Sequence, residues 1–285
     1  MTRRYFFKAI IGALLTFIGV LSGSYAYAYY IEPRLLNNQR QKIISRNVPK
    51  PFNNFKIVQF SDTHIGFQYS LQQLEELVET INVENPDVIV FTGDLIDEPH
   101  NFTNKDELIQ ILKNLRATTG KYWVFGNHNH GGYGTNMIKE IMEQANFTLL
   151  KNDNIVIEKE SERLIIAGID DVMLGKPNIE QALNNVNSDD YTILLAHEPD
   201  IADRVATYPV DLQLSGHSHG GQVRLPFVGH LYTPPYAEKY VRGKYVFNDE
   251  QMTLFVSTGI GTTRLPLRFL CQPQFYTFTL SQRNV

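Results

Sequence analysis

Five short apolar runs in this chain each stop at a residue able to bind a cation, and this recurrence restricts the fold more than any other feature. Lys56–Phe60 leads into Ser61-Asp62-Thr63-His64, and Val88–Phe91 into Thr92-Gly93-Asp94. Tyr122–Phe125 leads into Gly126-Asn127-His128, Thr192–Ala196 into His197-Glu198, and Leu212–Leu214 into Ser215-Gly216-His217-Ser218-His219-Gly220-Gly221. Runs of this length and composition read as buried strands. Between the early ones lie helical periods: Leu71, Leu74, Leu77, Val78 and Ile81 share one face, stopped by Asn85-Pro86, and Leu108, Ile111, Leu112 and Leu115 share another. A third helix is predicted over 135–144, and strands dominate thereafter, at 155–158, 164–168, 254–257 and 275–280. The pattern is α/β, and such sheets place their sites in loops at the carboxyl ends of strands. Five loops distant in sequence would thereby meet in one crevice.

The residues in those loops suit divalent cations. Carboxylate and imidazole together bind Mn, Fe or Zn. Two ions about 3.5–4 Å apart activate water for attack at phosphorus, and holding them takes a donor set of the size found here. Asp62, His64, Asp94, Asn127, His197, His217 and His219 are the candidate ligands. Each motif alone is weak: Asp-x-His fits a surface turn, Gly-Asp any strand end, and Gly-His-Ser-His a structural zinc site. Their shared placement after strands carries the reading. His100, His130 and His230 lie outside the motifs and read as surface or supporting residues, and Tyr69, Arg224 and Tyr236 as surface or core residues with a lesser claim to a pocket.

In that order the motifs resemble the calcineurin-like metallophosphoesterase superfamily, over residues 55–282. The longer strings Thr92–Asp97, His197–Asp200 and Leu214–Gln222 resemble its YkuE-like bacterial branch. The resemblance implies two facing mixed β-sheets flanked by helices, a four-layer αββα sandwich. It implies that Asp62, His64 and His219 hold one metal, that Asn127, His197 and His217 hold the other, and that Asp94 bridges them. A metal-bridging hydroxide would attack phosphorus, with His128 beside the substrate as proton donor. The chain departs from the pattern once: Asn129 stands where the family has a carboxylate to orient that histidine. Asp97, Glu198, Asp170 and Asp171 are candidates to replace it.

Ahead of this body, Thr2-Arg3-Arg4-Tyr5-Phe6-Phe7-Lys8 resembles a twin-arginine export signal, and an uncharged stretch runs from Ala9 to Ile31. Ala26-Tyr27-Ala28 offers a cleavage site, but the stretch is also long enough to remain as a membrane anchor. The expected organisation is a signal or anchor over 1–30, a polar linker or edge segment over 31–54, and a metallophosphoesterase domain over 55–285. Arg3, Arg4 and Lys8 are the only charges in the first thirty residues, so the overall charge of −4 leaves an acidic body. Acidity argues against sequence-specific nucleic-acid binding. The lone Cys271 excludes an intrachain disulfide and has no histidine partner motif that would make it a nucleophile.

The expected function is an exported, dinuclear-metal phosphoester hydrolase. Its partners would be a phosphoester substrate, the twin-arginine export machinery, and the membrane or cell wall. The rival readings are a metal-binding envelope protein without turnover and a hydrolase specific for a nucleotide-linked lipid precursor.

Overall fold

The computed structural model describes residues 3–130, 134–248 and 251–283. Thr2, the first position of the twin-arginine-like motif, lies outside the described residues. Among the described residues, fourteen strands form two six-stranded sheets and one isolated hairpin. In the first sheet the order is β1 (Asn37–Ser45), β14 (Gln274–Gln282), β2 (Lys56–Phe60), β3 (Val88–Phe91), β4 (Gly120–Trp123) and β5 (Thr148–Leu149). In the second it is β12 (Gly243–Phe247), β13 (Met252–Val256), β9 (Leu212–Ser215), β8 (Tyr191–Leu195), β7 (Glu162–Gly168) and β6 (Asp153–Lys159). β10 (Arg224–Leu225) and β11 (Gly229–His230) pair only with each other. Both sheets are mixed. β2 to β5 run parallel, as do β7, β8, β9 and β13, while β14, β12 and β6 each make an antiparallel pairing.

The two-residue period of the strands sorts their side chains into layers. Ile57, Val88 and Val90 face Ile166, Ile193, Leu195, Leu214 and Phe255 in the core between the sheets. Their neighbours Val58, Phe60, Ile89 and Phe91 point the other way, against α2 (Leu71–Val83), α3 (Lys105–Lys113) and α4 (Thr135–Gln144). Behind the second sheet, Leu194, Leu254 and Val256 pack on the short helices α5 (Ile179–Ala182) and α6 (Ala202–Val205). This is the expected four-layer arrangement. Parallel strands buried on both faces carry apolar residues on both, which is why they read as continuous runs. α2 starts at Ser70, whose side chain accepts from Gln73 N while Gln73 reaches back to the Ser70 backbone.

Within the segment 31–54, expected as a linker or edge segment, Asn37–Ser45 forms the edge strand of the first sheet. β1 pairs in parallel with β14 over its whole length, from Asn37 opposite Gln274 to Ser45 opposite Gln282. Val48 and Phe52 are fully buried between the sheets. β1 opens with six polar residues, Asn37 to Lys42, so its composition mimics a linker.

α1 (Arg3–Ala26) has no buried residue and is long and apolar enough to cross a membrane. At its foot a π-helical turn, Tyr27–Ile31, and a short turn, Glu32–Arg34, lie against the body. The Ala28 carbonyl accepts from Arg268 N, and the buried Glu32 carboxylate accepts from Leu270 N and Cys271 N.

If 31–54 belongs to the domain, Phe52→Ala costs about 3–5 kcal/mol, as for a large aromatic side chain removed from a core. Denaturant unfolding measures this; a residue in a linker would show no effect.

Candidate metal centre

The strand-end loops converge. Three groups of donors gather with their ligand atoms within 4.8 Å of one another: Asp62, His64 and His219; Asp94, His197 and His217; and His64, Asp94 and His128. Asp94 lies between the first two groups, its Oδ2 3.6 Å from His64 Nε2 and 3.2 Å from His197 Nε2. Asn127 lines the same cleft, and its Oδ1 is buried without a hydrogen-bond partner. The seven predicted ligands and His128 are therefore brought together.

Backbone geometry at the site is unusual. Asp62, His64, Asp94, His217 and His219 all have positive φ, between 42° and 67°. Non-glycine residues reach this region at a cost and cluster where function over-determines the structure. The turns hold because the carboxylates bond to the backbone of neighbouring loops. Asp62 accepts from His217 N, and Asp94 Oδ1 accepts from His128 N at 3.0 Å. Gly93 also has φ +98°, and a β-carbon there would collide with His197 Nδ1 and the Gly126 backbone.

Hydrogen bonds on the far side of three rings orient them. His64 Nδ1 donates to Asp97 Oδ1 (2.9 Å), His197 Nδ1 to Thr92 O (2.6 Å) and His217 Nε2 to Pro235 O (2.9 Å). Each ring thus turns its other nitrogen toward the cluster, as in histidines that ligate metals. There the inward nitrogens meet: His64 Nε2 lies 3.0 Å from His219 Nε2, and His197 Nε2 3.2 Å from His217 Nδ1. Ring nitrogens gathered at such distances, an orphaned Asn127 oxygen and two buried carboxylates fit cations placed among them.

The electrostatics agree. Burial pushes His217 down to about 3, with His197 adding to the effect. Burial, and then His64, hold His219 well below the ordinary imidazole value. Both rings are therefore neutral donors. Burial also disfavours charge on His197, but Asp94 and Asp62 outweigh it and hold its pKa well above the ordinary range. Positive charge is welcome at that position.

Asn129 does not face His128. It is buried in the Leu95–Ile96 turn, where its Oδ1 accepts from Leu95 N and its Nδ2 donates to Ile96 O (2.8 Å). The orienting group is Asp97: its carbonyl accepts from His128 Nδ1 (3.1 Å), and its carboxylate Oδ1 lies 3.7 Å from the same nitrogen. Burial raises the Asp97 pKa, but the His64 hydrogen bond and the His64 and His128 rings hold it below the ordinary carboxylate value. The other candidates are engaged elsewhere. Asp170 pairs with His130 at 2.7 Å, Asp171 accepts from Leu174 N, and Glu198 accepts from Val172 N.

A sixth loop escaped sequence reading. β13 runs into Ser257–Thr263, where Ile260 N donates to Ser61 O and Gly261 N to Asp62 O, bracing the first metal-type turn. Thr263 Oγ1 donates to Asp97 Oδ1. Gly259 and Gly261 after an apolar strand were the available signal. From the cluster a cleft of about 380 Å³ opens between Leu231, Tyr232 and Pro234 on one side and Arg264, Leu265 and Leu267 on the other. Tyr69, Arg224 and Tyr236 do not line it. Cys271 is buried behind His219, its thiol 3.2 Å from the His219 carbonyl.

Sheets that deliver buried carboxylates and neutral imidazoles to a single open cleft define a metal-dependent phosphoester hydrolase. The chain belongs to the calcineurin-like phosphoesterase family, whose profile matches residues 55–221. It is 43% identical over 285 residues to YkuE, a metallophosphoesterase of Bacillus subtilis, covering 100% of this chain and 99% of the relative. A metallophosphoesterase of Aquifex aeolicus is 33% identical over 280 residues, covering 94% of this chain and 99% of the relative. The phosphodiesterase YaeI of Escherichia coli is 28% identical over 281 residues, covering 96% and 97%.

Because Asn129 serves the backbone, restoring the family carboxylate does not help. Asn129→Asp removes the donor to Ile96 O and leaves a buried acceptor facing a carbonyl, costing about 1–3 kcal/mol. Thermal unfolding checks the loss, and turnover of an aryl phosphate does not rise.

Proposed function

We propose that the chain hydrolyses phosphate esters at the cell envelope, with Asp62, His64 and His219 holding one divalent cation, Asn127, His197 and His217 a second, and Asp94 shared between them. The position of Asp94 Oδ2, between His64 Nε2 and His197 Nε2, carries the reading. Bound there, Mn, Fe or Zn would supply a water of lowered pKa and Lewis acidity toward phosphoryl oxygens.

The chain's own part follows from its geometry. Asp97 holds His64 and His128 by their Nδ1 atoms, so His128 presents Nε2. Its side chain is partly exposed and lines the cleft, where it can give a proton to the leaving oxygen. The apolar walls exclude water from the substrate's non-reacting parts. A phosphodiester fits the cleft, which continues past the donor cluster, and the name of the E. coli relative supports this preference.

For the location, α1 and the twin-arginine-like residues support export. The packing of Ala28 and Glu32 on the body supports an anchor that stays attached, since cleavage after Ala28 would cut within a packed segment.

Metal analysis of the purified chain, joined to a screen of phosphomonoesters and diesters with added Mn, tests the proposal. Chelation abolishes turnover and Mn, Fe or Zn restores it; an equally active metal-free form would refute the mechanism. Asp94→Ala loses both ions. His128→Ala keeps them and loses about 10²–10⁴-fold in rate, the usual value of a positioned acid. Loss of metal from His128→Ala would instead make that residue a ligand.

A further inference from the structure

The hairpin formed by β10 and β11 belongs to neither sheet and ends in the most exposed large apolar side chain among the described residues. Phe227 stands fully outward at a left-handed φ of 66°, and Val228 beside it is 69% exposed. An aromatic residue held in that conformation and pointed at solvent contributes nothing to the fold. Exposed apolar side chains continue from the tip onto the cleft rim at Leu231, Tyr232 and Leu265.

The hairpin is also joined to the foot of α1. Val223 bridges to Phe269, and Arg224 N donates to Phe269 O at 2.9 Å. The Phe269 ring meets Tyr27 edge-on at 6.3 Å, and Arg268 N donates to the Ala28 carbonyl. One short path of contacts thus runs from the apolar helix to the hairpin and the cleft mouth. The 24 residues of α1 reach about 36 Å at 1.5 Å each, enough for a hydrocarbon core of about 30 Å. Tyr25, Tyr29 and Tyr30 gather at its foot, the arrangement of side chains that sit at a membrane–water interface. Phe227 at the tip lies only four positions along the chain from Val223, which is bridged to Phe269. Neither Gly220–Tyr232 nor Thr262–Leu270 contains an acidic residue, whereas both contain arginines. Arg264 lies at the cleft mouth with its guanidinium over the Tyr232 ring, 5.1 Å from the centroid.

We infer that the hairpin tip is a second membrane contact, dipping into the bilayer that holds α1, so that the cleft opens at the lipid surface and takes amphiphilic phosphoesters from it. The inference rests on the reading of α1 as a retained anchor and of the donor cluster as a hydrolytic site. Phe227 and Val228 enter the acyl boundary, the exposed Arg264 faces anionic headgroups, and the rim made by Leu231, Tyr232 and Leu265 receives the apolar part of the substrate.

The full chain, reconstituted in vesicles of phosphatidylcholine and phosphatidylglycerol, allows a test that does not depend on activity. Phe227→Cys carries an environment-sensitive fluorophore. Val83→Cys, 75% exposed at the end of α2 away from the donor cluster, carries the control, and the buried Cys271 of the unaltered chain gives the labelling blank. Nitroxide-bearing lipids are expected to quench the label at 227 and shift its emission to the blue, leaving the label at 83 unchanged. Equal behaviour of the two labels overturns the inference. So does a shift at 227 that arises in detergent with protein concentration alone, which would assign the tip to a second copy of the chain. For the substrate class, the double variant Phe227→Asp, Val228→Asp is expected to lose about tenfold in hydrolysis of dodecyl para-nitrophenyl phosphate carried in the vesicles, the order of effect of exposing one buried aromatic side chain. Hydrolysis of soluble bis(para-nitrophenyl) phosphate with Mn stays unchanged. Equal rates on the vesicle-borne ester overturn the substrate class. If no form cleaves the soluble ester, the hydrolase reading fails, while the quenching still decides the membrane contact.

Discussion

The structure is organised around a dense buried cluster of carboxylates and imidazoles. Ring nitrogens face one another at 3.0 and 3.2 Å beside two carboxylates, at the floor of the cleft. Desolvating so many ionisable groups together is costly. The fold holds the cluster by other means. Main-chain N–H groups bind Asp62 and Asp94, carbonyls and Asp97 clamp the outer nitrogens, and the backbone tolerates positive φ at five ligand positions. The sheets act as a rigid frame that presents these loops to one point, and cations complete the charge balance.

Much of this frame was legible in the sequence because parallel strands advertise themselves. Val88–Phe91 and Tyr191–Leu195 are apolar on both faces, and the residue after each strand is where chemistry collects. The residues that cluster in the cleft were legible for the same reason. Three features were not. β1 has only one covered face and carries Asn, Gln, Arg and Lys, so its pairing with β14 depends on a partner some 240 residues away. The Ser257–Thr263 loop bears no metal-type side chain, and it supports Asp62 through main-chain groups common to every residue. Asn129 looked like a weakened form of a catalytic neighbour. It is a turn residue whose amide satisfies both a donor and an acceptor of the backbone, a role that no motif comparison can reveal.

The apolar N-terminal helix and the site are mechanically connected. Glu32, just past the apolar helix, caps the main chain at Leu270 and Cys271. The neighbouring Arg268, fully buried, donates to the carbonyls of Thr258, Gly261 and Cys271, and Gly261 in turn bonds Asp62. Cys271 rests on the carbonyl of His219. A buried guanidinium survives only where its donors are met, so these carbonyls are held in place as firmly as the core. The helix foot, the cleft wall and the donor cluster therefore form one continuous packed unit.

The placement of β14 has a consequence for biogenesis. It follows every other described strand in order of synthesis, yet it sits in the interior of the first sheet, between β1 and β2. Until it emerges from the ribosome, β2 offers an open edge and β1 has no neighbour at all. The sheet cannot be assembled vectorially, and a prematurely terminated chain presents unpaired strand edges suited to aggregation.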